Sequence, residues 1–386
     1  MKSSQDRILT THVGSLPRSD AVLKLLEARE AKAAYDEADF NATVRQAVLD
    51  IVKRQVDTGI DIVSDGETSK MSYATYVHGR LAGFSDEGGP GPPKPHLDVA
   101  PFPDFRKKMA QLTGAQRFKR VTCIGPIKVQ NREALNRDLA NMRAAVDAAG
   151  PAEAFLTAAS PGVVASFLPN RHYPSHEAYI EAIADAMREE YEAIVAAGFI
   201  LQLDCPDLAM SRHTGFQDLT EAEFLKRAAF HVDVLNHALA KVPVNMVRMH
   251  VCWGNYEGPH THDIDFNKIV SIVLGAKVQG IALEAANPRH AHEWAIWKEV
   301  KLPDDKLLLP GVIDTSTNYV EHPSLVAERI TRFADIVGRE RVIANSDCGF
   351  GTAAGSGKLD PEIVFLKLGA LAAGAAEASK QLWRRG

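Results

Sequence analysis

His250 and Cys252 lie two residues apart at the end of the apolar run 244–252, VNMVRMHVC. Side chains two residues apart in an extended strand point to the same face, so this run directs an imidazole and a thiol at one point. Glu284 and Cys348 come near the ends of two later apolar runs. Because imidazole, thiolate and carboxylate groups are ligands of zinc, the four side chains predict a zinc site. For His250 and Cys252 alone, burial in the core is the alternative.

A zinc ion with thiolate ligands and one replaceable position can bind a substrate thiol. Coordination deprotonates that thiol near neutral pH, and the thiolate is the nucleophilic form. The predicted site therefore indicates alkylation of a thiol. Hydrolysis by metal-bound water is the competing chemistry, and these residue types leave both open.

The chain has four cysteines in 386 residues, too few for a disulfide scaffold. This number is typical of a reducing compartment, so we expect a cytoplasmic protein. Cys205 also ends an apolar run and is a rival thiol for the metal, whereas Cys123 lies within a run and reads as a small buried hydrophobic residue.

The elements that must position these groups alternate between short β-branched runs and longer stretches with helical periodicity. This alternation predicts parallel β-α units. Nine runs are predicted strands: 8–15, 60–67, 119–126, 154–161, 200–206, 244–252, 280–287, 307–314 and 342–349. The strand pattern is weakest in 8–15 and 119–126. Eight such units close into a barrel. We therefore expect one α/β domain over 1–386, a (β/α)8 TIM barrel with an extra N-terminal element and loop insertions.

Two further segments bear on this fold. GFGTAAGSGK (349–358) is rich in glycine but lacks the spacing of a phosphate loop, which disfavours a doubly wound nucleotide-binding sheet. The segment 84–105 is rich in proline and glycine and has no periodicity. Such a segment is either solvated surface or a lid or oligomer arm, and an arm would imply a homo-oligomer.

Polar side chains recur near the carboxyl ends of the predicted strands, where βα barrels carry their active sites. They are His12, Ser15, Asp65, Glu67, Ser160, Asp204, Cys205, His250, Cys252, Glu284, Asn287, Asp314, Asp347 and Cys348. Carboxylates and thiols at nearly every strand end exceed the polarity that a core requires. The net charge of −5 gives no electrostatic basis for binding nucleic acid or an acidic membrane, so we expect small-molecule partners.

In sequence order, these motifs resemble the catalytic C-terminal half of cobalamin-independent methionine synthase and its stand-alone relatives, which include the epoxyalkane:coenzyme M transferases. The residues that carry the resemblance are THVGSLPR (11–18), SDGE (64–67), GPI (125–127), LQLDCP (201–206), HVC (250–252), LEAAN (283–287), PGVID (310–314) and SDCGFG (346–351). The likeness covers nearly the whole chain.

The resemblance implies that His250, Cys252, Glu284 and Cys348 are the zinc ligands. It also implies a binding site for the amino-acid part of homocysteine, formed by the turn Val13, Gly14, Ser15 and by Glu67 and Asp204. Two carboxylates can hold an ammonium group, and backbone N–H groups with a hydroxyl can hold a carboxylate.

Three positions depart from the family pattern. Met210 replaces a folate-contacting glutamate, Arg132 stands in the place of a tryptophan, and Ser316 replaces the catalytic histidine. All three concern the folate donor or its proton delivery, so the resemblance does not extend to methyltetrahydrofolate as donor.

Replacement of the family histidine leaves the catalytic residues open. We predict Asp314, His12 and Ser316 for this role. Other candidate proton donors are His260, His262 and His322, each of which also fits a surface or loop position. Arg18 could meet an anionic substrate but fits a surface residue at a helix start better.

The sequence thus predicts a zinc-dependent transferase that holds an acceptor thiol, homocysteine, as a thiolate for attack on a methyl or alkyl donor. The alternatives are an epoxyalkane:coenzyme M-type thiol alkyltransferase, a zinc hydrolase, or a non-catalytic barrel in which zinc is structural.

Overall fold

The computed structural model describes residues 1–74, 76–86, 95–113, 121–355 and 359–384. Its strands are β1 Leu9–Thr10, β2 Ile62–Ser64, β3 Leu81–Ser85, β4 Thr122–Val129, β5 Glu153–Ala159, β6 Ile200–Asp204, β7 Val247–Val251, β8 Gly280–Leu283, β9 Leu307–Ile313 and β10 Ile343–Ser346. Its α-helices are α1 Asp20–Glu30, α2 Glu37–Thr58, α3 Pro103–Thr113, α4 Glu133–Ala149, α5 Pro161–Phe167, α6 His176–Ala196, α7 Ser211–Thr214, α8 Glu221–Ala238, α9 Phe266–Leu274, α10 Pro323–Val337 and α11 Pro361–Trp383. Short 3-10 helices span Tyr76–Gly79, Pro206–Leu208, Val244–Met246, Glu293–Lys298 and Arg339–Arg341.

Eight strands form one parallel sheet in the order β1-β10-β9-β8-β7-β6-β5-β2. A parallel bridge between Thr11 and Ile62 brings the two outer strands together and closes the ring. Helices lie between most of the successive strands. The predicted (β/α)8 barrel is confirmed.

The extra strand is internal rather than N-terminal, which corrects the expected position of the additional element. β1 belongs to the ring, whereas β4 pairs antiparallel with β3 outside it. The burial of the strands gives the reason, because every residue of β7 and β9 is buried but Ile124 of β4 is 53% exposed. Strands of a parallel ring are covered on both faces, and a hairpin can leave one face to solvent. The sequence analysis did not predict β3.

Local signals explain where the long helices begin and end. Thr220 and Glu223 form a reciprocal capping box at the start of α8, and Asp36 accepts hydrogen bonds from the first N–H groups of α2. Gly59 ends α2 in the left-handed conformation with φ 95°, which glycine adopts without a Cβ penalty. These helices fix the length of each unit and place the following strand end at the same face of the barrel.

The segment 84–105 is only partly covered, since 87–94 lie outside the described residues. Within the described part, 95–102 packs on the loops after β6 and β7: the Leu97 N–H donates to the His213 carbonyl, and Asp98 accepts from the Tyr256 hydroxyl. The lid or oligomer arm stays a prediction. None of the helices within the described ranges is long and apolar enough to cross a bilayer.

Candidate active site

A cavity of about 460 Å³ lies at the carboxyl ends of the barrel strands. Among its lining residues are seven that the sequence analysis selected: Val13, Ser15, Glu67, Asp204, His250, Cys252 and Cys348. They come from the ends of five ring strands, so barrel closure brings together groups that are distant in sequence.

His250, Cys252 and Cys348 form what we call the thiol centre. The Sγ atoms of Cys252 and Cys348 are 3.7 Å apart, and one ligand atom from each of the three residues lies within 4.8 Å of the other two. All three side chains are buried. The hydrogen bond between the Cys252 and Cys348 thiols, together with burial, raises the pKa of the Cys252 thiol well above its usual value. Two adjacent buried thiols can ionise only beside a cation, so this set of donors fits a zinc ion.

Glu284 is close to the thiol centre but outside that group of atoms. Its Oε1 accepts the Trp253 N–H at 2.8 Å, and its Oε2 accepts from Asn287 Nδ2 at 2.8 Å. These contacts orient the carboxylate beside the two thiols. The structure therefore brings three of the four predicted ligands together and holds the fourth next to them.

Two aspartates hold His250 in place. Asp204 Oδ1 lies 3.3 Å from His250 Nδ1, and the Asp347 carbonyl lies 3.2 Å from Nε2. Although burial opposes the charged form, Asp204 and the neighbouring Cys348 raise the pKa of His250 to about 9. A carboxylate partner on one ring nitrogen of a metal-binding histidine fixes the ring and raises its basicity.

Asp347 also anchors the loop that carries Glu284. Its carboxylate accepts backbone N–H groups of Ala285, Ala286 and Asn287, each at 2.8 Å. Burial, together with the charge of Glu284, raises the pKa of Asp347 to about 7 despite these bonds. The backbone of Asp347 thus contacts His250, while its side chain positions the loop of Glu284.

Glu67 presents an unsatisfied carboxylate oxygen at the cavity. Its Oε1 accepts from Thr157 Oγ1 at 3.0 Å, but its buried Oε2 accepts no hydrogen bond from a described residue. The ion-pair partner Arg18 is 3.7 Å away. Burial, with the charge of Asp204 adding to it, raises the pKa of Glu67 to about 7. The backbone of Glu67 is left-handed, with φ 56°, a strained state typical of functional positions. Such a group favours a cationic ligand.

The turn 13–15 depends on a glycine. Gly14 has φ 139°, and a Cβ there would meet Thr157 Cγ2 at 2.6 Å. The N–H of Val13 donates to Ser346 Oγ at 3.1 Å and that of Gly14 to His12 Nδ1 at 3.2 Å. Both N–H groups are engaged in these internal hydrogen bonds and cannot bind a substrate carboxylate. Within the turn 13–15, Ser15 alone therefore offers polar groups at the cavity wall.

A buried network that the sequence analysis missed lies below the cavity. Arg248 Nε donates to Gln202 Oε1 at 2.7 Å, and Gln202 Nε2 donates to Asp204 Oδ1 at 3.0 Å. The Arg248 guanidinium lies 3.5 Å from the centroid of the Phe155 ring, and its pKa is lowered to about 9 by burial. The signal was present, since Arg248 and Gln202 interrupt otherwise apolar strands.

The predicted catalytic residues do not line the cavity. His12 is fully buried, contacts Gln55 Oε1 at 2.7 Å through Nε2, and has a pKa lowered by burial to about 4. Asp314 closes a turn by accepting the Ser316 N–H and hydroxyl, each at 2.8 Å. His12, Asp314 and Ser316 thus shape the backbone near the site.

Several alternative candidates also lie elsewhere. His322 caps α10, and Arg18 is buried and donates to the Glu67 carbonyl, so the expectation of a surface arginine was wrong. Cys205 is buried and absent from the cavity wall, and Arg132 pairs with Glu189 on the surface. Met210, by contrast, lines the cavity.

Comparisons with known proteins identify the family of the chain. The family model described as "Cobalamin-independent synthase, Catalytic domain" matches residues 8–88 and 129–359. The chain is 26% identical to a methionine synthase of Thermococcus kodakarensis over 98% of this chain and 95% of that protein. It is 23% identical to a methionine synthase of Saccharolobus solfataricus, over 98% and 96% of the two chains.

A solved structure shows the same fold. It is a B12-independent methionine synthase from a Shewanella species in complex with selenomethionine, with a TM-score of 0.73 at 19% identity, over 98% of this chain and 99% of that one. The family match confirms the resemblance and the prediction of a methyltransferase enzyme. The chain belongs to the cobalamin-independent methionine synthase family.

Proposed function

We propose that this enzyme is a zinc-dependent methyltransferase that methylates the thiol of homocysteine. One observation carries the proposal: two thiols and an imidazole converge at the wall of a cavity that also contains two carboxylates. The reaction breaks the bond between the methyl carbon and its donor, forms the sulfur–carbon bond of methionine, and releases the thiol proton.

His250, Cys252 and Cys348 would hold the zinc, with Glu284 as the fourth ligand. When bound, the ion would supply the positive charge that keeps the acceptor thiol ionised near neutral pH. Asp204 keeps His250 oriented through Nδ1. Trp253 and Asn287 hold the Glu284 carboxylate beside the thiol centre by hydrogen bonds.

Charge in the cavity favours an amino acid as acceptor. Glu67 and Asp204 would bind the ammonium group, and Ser15 would contact the carboxylate. Among the described lining residues, none is lysine or arginine. A sulfonate such as that of coenzyme M would lack a cationic partner there, which favours homocysteine over the epoxyalkane:coenzyme M alternative.

The remaining wall of the cavity fits a donor other than a folate. Apart from His96 and Asn255, it is apolar or hydroxyl-bearing, with Phe167, Leu168, Met210 and Thr214 among its residues. Met210 stands where the family pattern has a folate-contacting glutamate, so this wall offers no carboxylate to a pterin ring. We propose a compact, uncharged or cationic methyl donor.

We further propose a cytoplasmic location. All four cysteines are buried free thiols, and the thiol centre requires Cys252 and Cys348 to stay reduced.

X-ray absorption at the zinc edge tests the function. Purified protein is measured alone and with homocysteine, coenzyme M or glutathione, with homoserine as the control that replaces sulfur by oxygen. Of these compounds, we expect only homocysteine to add one sulfur neighbour to the zinc ion, at about 2.3 Å. A zinc shell unchanged by every thiol would contradict thiol activation, and a response to coenzyme M alone would replace the acceptor.

A further inference from the structure

A second group of buried titratable side chains lies behind the cavity wall. We call this group the His/Asp cluster. It comprises five residues from four separate parts of the chain: Asp98, His213, His260, Asp263 and His290. Their side chains are all at most 10% exposed. Asp98 belongs to the segment before α3, His213 to α7, His260 and Asp263 to the loop after β7, and His290 to the loop after β8.

Three members have the arrangement of metal ligands. One ligand atom each from Asp98, His260 and Asp263 lies within 4.8 Å of the other two. His260 Nδ1 is 3.1 Å from Asp263 Oδ2, a separation that two ligands of one ion can adopt. Imidazole nitrogen and carboxylate oxygen without sulfur suit divalent first-row transition metals.

His213 gives the second, independent observation. Its side chain is 0% exposed, and neither ring nitrogen has a hydrogen-bond partner among the described residues. Nε2 faces Asp98 Oδ2 at 3.6 Å and Nδ1 faces Asp263 Oδ1 at 3.5 Å. Buried polar side chains normally have partners, so an imidazole left between two carboxylates requires an explanation. A cation between these groups would supply one.

The protonation states of His213 and Asp98 allow both side chains to act as ligands. Burial lowers the pKa of His213 to about 4, so its imidazole is neutral and can act as a ligand. Burial would raise the pKa of Asp98, but the Tyr256 hydroxyl and His213 hold it at about 2. The cluster therefore presents an ionised carboxylate and a neutral imidazole at neutral pH.

We propose that the His/Asp cluster is a second metal site, which binds a divalent transition-metal ion through Asp98, Asp263 and His260 with His213 as a further donor. The ion ties the segment 95–102 to the loops after β6 and β7. His96 of that segment lines the cavity, and its ring centroid lies 6.1 Å from that of His213. The second ion thus orders part of the cavity wall without touching the thiol centre.

The competing arrangement is an ion-pair network without metal. Burial disfavours charge on His290, but the neighbouring carboxylates of Asp263 and Glu293 raise its pKa to about 10. Burial also disfavours charge on His260, but its hydrogen bond with Asp263 raises its pKa. Two protonated histidines could neutralise the carboxylates in place of an ion. The two arrangements differ in metal content and can be separated by measurement.

Metal analysis of the purified enzyme, dialysed without chelator, tests the proposal. We expect two ions per chain in the wild type. The double variant Cys252→Ser, Cys348→Ser should keep one ion, and X-ray absorption should show only nitrogen and oxygen neighbours around it. Asp263→Asn should lose that ion and keep the sulfur-bound one. His172→Ala, at an exposed histidine, is the control and should keep both.

One ion per chain in the wild type, with sulfur in its shell and unaffected by Asp263→Asn, would overturn the second site. So would a thiol double variant with no residual ion, which decides the question even if Asp263→Asn fails to fold. Failure of the proposed methyltransferase function would instead appear as a thiol centre whose ion does not respond to homocysteine.

Discussion

The thiol centre and the His/Asp cluster lie side by side at one face of the barrel and share the loop after β7. Cys252 begins this loop, whereas His260 and Asp263 lie further along it. Between the two groups, Trp253 donates its N–H to Glu284, and its ring centroid is 4.4 Å from that of His290. Trp253 thus contacts both the carboxylate beside the thiol centre and a histidine of the His/Asp cluster.

Their difference lies in donors and in access. The thiol centre offers sulfur and faces the cavity, while the His/Asp cluster offers oxygen and nitrogen and is covered by the segment that contains Asp98. An ion at the open wall can take up a substrate thiol, whereas an ion in a covered set of ligands has no access to substrate and only holds the loops together. Position on the barrel is therefore a poor guide to role, and access to the ion is a better one.

The largest expected effect concerns the partner of His250. Asp204→Asn removes the charge that orients His250 and that would hold the ammonium group of the acceptor. We expect kcat/KM for homocysteine to fall about 100-fold or more, since loss of such a partner alone costs 10- to 100-fold. Steady-state kinetics and metal analysis measure this.

The ion of the His/Asp cluster should stay bound in Asp204→Asn, because Asp204 does not belong to that cluster. Asp233→Asn, at an exposed acid on α8, is the matched control and should keep wild-type kinetics. Wild-type kinetics in Asp204→Asn would show that Asp204 neither orients His250 nor binds the acceptor.

A pH dependence of binding sharpens the comparison. Burial raises the pKa of Glu67 to about 7, so this carboxyl is mostly protonated at pH 6 and ionised at pH 8. Binding of methionine, which has no thiol to titrate, should weaken about 10-fold from pH 8 to pH 6 because the protonated acid cannot pair with the ammonium group. Isothermal titration calorimetry measures the Kd. In Glu67→Gln, methionine should bind weakly at both pH values.

The same pKa shift affects stability with a defined sign. Because the pKa of Glu67 is raised from 4.5, its stabilising contribution is complete below about pH 4.5 and is lost as the pH rises through 7. Asp98, with a pKa of about 2, stays ionised throughout this range.

For the binding measurement, a Kd for methionine that does not change with pH in the wild type would contradict the role of Glu67.

The smallest effect is expected at the edge of the His/Asp cluster. Tyr256→Phe removes the hydroxyl that donates to Asp98 Oδ2 at 2.6 Å. Loss of one buried hydrogen bond to a charged group should lower the free energy of unfolding by about 1 to 3 kcal/mol, measured by urea denaturation. The zinc shell of the thiol centre should not change.

Tyr319→Phe is the control for Tyr256→Phe, because Tyr319 is 83% exposed. Its free energy of unfolding should stay within about 0.5 kcal/mol of the wild type. A loss of the sulfur-bound ion in Tyr256→Phe would show that the two centres are not independent.

Much of the fold and of the thiol centre could be predicted from the sequence, because local patterns encode them. Alternating apolar runs and helical periods specify parallel β-α units, and such units place strand ends at one face. His250 and Cys252 share a strand end, so their convergence needs no knowledge of other loops. The thiols of Cys252 and Cys348 needed only the closure of the ring to meet.

Tertiary structure decided the features without a local pattern. Asp98 precedes β4 and His290 follows β8, so four of the eight barrel strands lie between them in sequence. Only the packing of loops brings the two residues into one cluster. It also turned His12 and Asp314 away from the cavity into backbone contacts. Sequence by itself therefore determined the residue types and the barrel. The contacts between loops depend on where separate segments meet when the ring closes. These contacts set the burial and the pKa of the site's side chains and their access to the cavity.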